Sequence, residues 1–141
     1  MLDFIKNSEE NVALAKKGML IDNSIQLGRS IDEVITEFPD FIAEDYYEGG
    51  YYYSYPEGIS YFIDEETREI SLILLSGRVI INDLKSLDSI FGKRHDESTS
   101  GDDQQTPFWS TVTYQVGENN VVIELTEDDE IDGIWLSKRV D

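Results

Sequence analysis

Apolar residues along this chain change spacing twice, from helical to alternating, and that change predicts the elements. In the first twenty or so positions, Leu2, Ile5, Val12 and Leu14 line one loose helical face between charged residues. Ile31, Val34, Ile35 and Phe38 recur at helical spacing. Ser30 and Glu33 ahead of them have the capping-box separation, and Pro39 stops the pattern. Strand-like runs follow at Tyr51–Tyr55, Ile59–Ile63 and Ile70–Leu75, divided by Pro56-Glu57-Gly58 and by the acidic turn Asp64-Glu65-Glu66. The pattern then returns. Asp83 stands where Ser30 stood, Leu84, Leu87 and Phe91 form the apolar face, and Gly92 replaces Pro39. Runs at Ser110–Val116, Val121–Leu125 and Ile131–Leu136 follow, with turns at Gly117–Asn120 and Glu127–Glu130. Short apolar lead-ins, Ile25–Leu27 and Val79–Ile81, precede the two helices.

These periodicities predict an α+β domain of two similar helix-plus-antiparallel-meander units with the helices packed on one side of the sheet. Residues 1–23 form an N-terminal helical segment, 24–76 the first repeat and 77–137 the second. Composition supports one folded domain: 40% hydrophobic and 11% aromatic content across 141 residues is far from the profile of a disordered acidic chain. With no cysteine, neither a disulfide framework nor a cysteine-zinc site is expected. No apolar run approaches the roughly 20 residues that cross a membrane. Charges interrupt the opening segment where a secretory signal would be apolar, so a cytoplasmic address is expected.

The run Ile25-Gln26-Leu27-Gly28-Arg29-Ser30-Ile31-Asp32-Glu33-Val34, followed by Phe38-Pro39, Tyr51-Tyr52-Tyr53, Gly58-Ile59-Ser60-Tyr61 and Ile70, resembles a known opening. It is similar to that of domains shaped like the beta-lactamase inhibitor protein, and of small envelope lipoproteins of related fold. Over residues 24–136 the resemblance implies a tandem repeat of helix and antiparallel sheet that grips a protein partner with its sheet. The chain departs from that pattern in lacking the secreted inhibitor's disulfide cysteines and an evident lipoprotein signal.

Charge narrows the partner. Thirty acidic against eleven basic residues give a net charge of −19, which repels nucleic-acid phosphates and anionic lipid and speeds encounter with a basic protein. Single residues add little chemistry. His95 is the sole histidine and reads as a solvated loop residue. Carboxylate pairs are too abundant for proximity to identify an acid–base site. Asp128-x-Glu130-x-Asp132-Gly133 imitates an EF-hand opening, but Arg139 occupies the position of the closing bidentate glutamate, so an acidic hairpin turn is expected. No catalytic residue, metal or cofactor is assigned.

All but one of the eight tyrosines lie between Tyr46 and Tyr61. Alternation puts Tyr51, Tyr53 and Tyr55 on one strand face and Tyr52 on the other, where cross-strand packing accounts for most of them. Tyrosines turned outward beside acids suit a protein interface. A base-stacking platform is disfavoured, since Arg29 is the only basic residue from Asn23 to Thr67. The stretches Asp40–Gly50 and His95–Pro107 read as acidic loops. The expected partner-binding set is therefore Tyr47, Tyr52, Tyr53, Tyr55, Glu44, Asp45, Glu48, Asp96, Glu97, Asp102, Asp103 and Trp109. Together these features predict an immunity- or antitoxin-type protein, monomeric when free, that occludes a basic toxin domain such as a nuclease. The alternative is a non-catalytic accessory or ligand-binding scaffold of the envelope-lipoprotein type.

Overall fold

The computed structural model describes residues 3, 8–21, 23–47, 50–80, 83–100, 109–128 and 130–139. Among the described residues the chain builds a single eight-stranded antiparallel sheet, in the order β1-β2-β3-β4-β8-β7-β6-β5. Its strands are β1 (Ala43–Tyr47), β2 (Gly50–Ser54), β3 (Ile59–Ile63), β4 (Ile70–Ser76), β5 (Asp96–Ser100), β6 (Trp109–Val116), β7 (Asn119–Leu125) and β8 (Ile131–Lys138). Among the described residues there are three short helices, α1 (Ser8–Lys17), α2 (Ile31–Glu37) and α3 (Leu84–Phe91), and one 3-10 turn at Gly77–Val79.

The expectation of two helix-plus-meander units is thus corrected. The reason lies at the centre, where β4 pairs with β8 from Leu72↔Ser137 to Ser76↔Gly133 and makes the hydrogen-bonded ladder continuous. Gly77 lets the chain leave β4 against the start of β8. A Cβ at this position would stand 2.0 Å from the Ile131 carbonyl oxygen, closer than any side chain is tolerated. The two presumed acidic loops are corrected as well, because Ala43–Tyr47 and Asp96–Ser100 are the two edge strands. An edge strand is held by backbone pairing on one side only and needs no apolar alternation, so its sequence resembles a loop.

Helix starts match the sequence better than their caps do. Asp83 caps α3 by accepting from the Ser86 amide at 2.9 Å. Ser30 has an extended N-cap backbone, but its hydroxyl makes no capping bond. The Ile31 amide donates instead to the Arg68 carbonyl, and Arg68 grips Asp32 through two 2.9 Å hydrogen bonds, tying α2 to the β3–β4 turn. The predicted N-terminal helix is seen from Ser8 onward, with Leu14 and Ala15 buried; Leu2, Ile5 and Ile81 lie outside the described residues. Asn119 fixes the far end of α1 by donating to the Ala15 carbonyl at 2.8 Å.

One sheet face carries the core. Ala15, Ile31, Val34 and Leu87 from the helices are buried in a single cluster with Tyr53, Tyr61, Ile73, Tyr114, Ile123 and Leu136 from the strands. The strand members alternate as a pleated surface requires, with Val121, Ile123 and Leu125 of β7 inward and Asn120, Val122 and Glu124 on the opposite face.

Candidate functional site

The sheet order separates the acidic groups that the sequence brought together. Glu44, Asp45 and Tyr47 lie on β1 and Asp96 and Glu97 on β5, the opposite edges of the sheet. Seven strand spacings of about 4.8 Å put them roughly 30 Å apart. They are two patches and not one.

At the β1 edge every residue is exposed, and Ile42, Tyr46 and Tyr47 are the exposed large hydrophobics of the described chain, at 69%, 66% and 60%. Their surroundings are acidic. Glu44 accepts from the Tyr51 hydroxyl at 2.7 Å, which pushes the Tyr51 phenol up to about 12. Tyr46 reaches toward Glu65, whose hydrogen bond raises the Tyr46 phenol above its usual value. Between them lies an open depression of about 550 Å³ lined by Tyr46, Asp64, Glu65, Glu66 and Ser71. Asp45 bonds the Tyr46 amide at 2.7 Å and so covers one polar group of the strand edge.

At the other edge Glu97 is ion-paired to Arg94, which also clasps Asp88 at 2.8 and 2.9 Å. The buried Tyr114 hydroxyl donates to the same Asp88 carboxylate. Hydrogen bonding from Arg94 holds Asp88 below the usual carboxylate range, while burial first and Asp88 second push the Tyr114 phenol up. This network braces α3 against β6. Asp96 is exposed opposite Thr113, and His95 is exposed with its amide bonded to the Thr113 carbonyl at 2.7 Å.

Of the expected tyrosines, Tyr53 and Tyr55 are buried in the core at 5% and 6% exposure, which leaves them little surface to offer a partner. Tyr55 donates to the Phe38 carbonyl at 2.7 Å. Tyr52 projects from the opposite face and stacks, tilted, on Phe62 at 5.2 Å. Trp109 opens β6 opposite Ser100. Glu48, Asp102 and Asp103 lie outside the described residues. Residues 127 and 128 form a turn after β7, and the Thr126 amide donates to the Glu130 carbonyl at 2.8 Å.

Of the apolar residues around Phe62 on the second sheet face, sequence reasoning placed Tyr52 alone in the binding set. Phe62 is only 1% exposed, yet its ring contacts are Tyr52 on one side and Trp135, at 5.4 Å, on the other. Cross-strand register places Leu72 beside Phe62, and Leu74 and Val122 on either side of Trp135. Gly133 allows this arrangement, since a Cβ there would meet Leu74 Cδ1 at 3.0 Å and the Trp135 Nε1 at 3.8 Å. The signal was present in Ile59–Ile63 and Ile70–Leu75, which are apolar on both alternating sets.

No family model matches the chain, and no curated protein matches it. In fold it is similar to the crystal structure of a DUF4309 family protein, YjgB, from Bacillus subtilis. The TM-score is 0.64 at 12% identity, covering 95% of this chain and 97% of that one. The likeness is one of fold alone, and it identifies neither a beta-lactamase inhibitor-like protein nor an immunity protein. Among the described residues no helix is long and apolar enough to cross a membrane.

Proposed function

We propose that this chain is an acidic binding protein of immunity or antitoxin type, which docks a basic toxin domain in the cytoplasm and masks its working surface. The observation that carries the reading is the β1 edge, where exposed Ile42, Tyr46 and Tyr47 stand among Glu44, Asp45 and Glu65 on a molecule of charge −19. Charge of this sign accelerates encounter with a cationic domain, and exposed tyrosines supply contact area at small entropic cost. Inhibition would come from occlusion, with no chemistry asked of the chain. The acids with clearly perturbed pKa, Asp32, Asp83 and Asp88, are all held low by hydrogen bonds, as structural carboxylates are.

The test is titration against a panel of purified basic nuclease domains, reading binding and cleavage together. The expected result is at least one member bound and silenced, with affinity falling as salt rises. A chain that leaves every member free and active at low salt contradicts the reading.

A further inference from the structure

We infer that the sheet face opposite the helices is a docking surface for a cationic protein segment that also carries apolar side chains. The inference rests on the reading that the chain binds a basic protein, and it names a surface distinct from the β1 edge.

Three observations carry it. Tyr52, Phe62, Leu72, Leu74, Val122 and Trp135 share this face by register across β2, β3, β4, β7 and β8, forming one contiguous strip. Ala15 of α1, Ile31 and Val34 of α2 and Leu87 of α3 belong to the core cluster on the other face, to which Phe62 does not belong. Phe62 is buried, and the other five are half-buried. A strip of this composition, aromatic at its centre, has the make-up of an interface core.

Charge selects the occupant. Asp45 lies opposite Tyr52 at one end of the strip, and Asp96 lies opposite Thr113, next to Val122, at the other. Both acids therefore share this face. Asp45 and Asp96 thus stand at the two ends of the strip, whereas Glu44 and Glu97, opposite the buried Tyr53 and Val112, belong to the helix face. A second copy would bring another charge of −19 and the same acidic ends against these, whereas lysine or arginine flanking an apolar segment meets both ends and strip. Nucleic acid has no place here because its phosphates face carboxylates.

The experiment compares two probes on the full chain: a short synthetic peptide alternating lysine and leucine, and oligolysine of equal charge. Val122→Glu and, on a separate strand, Tyr52→Glu each add an acid to the strip. Melting curves establish which variants are folded. Wild type should bind the lysine–leucine peptide more tightly than oligolysine. Either folded variant should weaken the lysine–leucine peptide by about tenfold and leave oligolysine unchanged. Binding driven by charge alone would be unchanged or strengthened by the added acid, and that result overturns the surface while leaving a cationic partner in place. Failure of wild type to bind either probe at low salt overturns the cationic partner itself, and the surface with it. Sedimentation showing a dimer that either variant dissolves assigns the face to a second copy and overturns the proposal.

Discussion

Asp88 concentrates more of the fold's polar bonding than its neighbours. It receives Arg94 and the hydroxyl of Tyr114, whose side chain is fully buried. Asp88→Ala leaves that hydroxyl without an acceptor, and denaturant unfolding should show a loss of about 1–3 kcal/mol. The same carboxylate sets part of the acid limb of stability. Its folded pKa is depressed, so its contribution is full above the ordinary carboxylate value of about 4 and is lost as pH falls through the lower folded value. Melting curves of Asp88→Asn between about pH 7 and about pH 3 should therefore fall less steeply than those of wild type. Gly77 is the corresponding backbone position. Gly77→Ala forces a methyl into the Ile131 carbonyl and should cost about 1–3 kcal/mol or more, because backbone and not a flexible side chain must move.

Helices α2 and α3 offer a comparison within one molecule. Asp83→Ala removes a cap bond to the Ser86 amide and a negative charge at the α3 start, and should cost about 1 kcal/mol. Ser30→Ala removes no capping bond and should cost a few tenths at most. Equal losses, measured by urea midpoint, would contradict the cap assignments. The sequence distinguished helix from strand wherever packing imposes a period: α2, α3 and the six inner strands are legible from Ile31, Val34, Leu87 and the alternation of β7. It failed at β1 and β5, whose residues answer to backbone pairing and not to burial. It failed again at the β4–β8 seam, since the pairing of distant strands leaves no mark in either one. For the candidate site, charge and tyrosine clustering pointed to the β1 edge. Tyr53 and Tyr55 were drawn into the core instead, because strand alternation outweighs tyrosine's taste for interfaces. The strip around Phe62 was written in the two-sided apolar runs of β3 and β4, but which face lacks a covering layer depends on where the helices pack.

At the scale of the whole molecule, electrostatics opposes compactness. Arg29, Arg68 and Arg94 are engaged in ion pairs with Glu37, Asp32 and Asp88, and these offset only a small part of thirty acidic side chains. Raising salt from about 0.01 M to about 0.15 M shortens the screening length from about 30 to about 8 Å and should raise the melting temperature, since repulsion outweighs the pairs. A falling melting temperature would mean that the ion pairs dominate. On the proposed reading, the aromatic strip between Asp45 and Asp96 receives a basic, partly apolar partner. The most direct test is an amide chemical-shift map of the labelled protein as the lysine–leucine peptide is added at about 0.15 M salt, where long-range charge attraction is screened. The account predicts that the largest shifts fall on Tyr52, Phe62, Leu72, Leu74, Val122 and Trp135. Shifts confined to the acidic turn 64–66 and the edge strand 43–47 would contradict the sheet-face surface and place docking at the β1 edge.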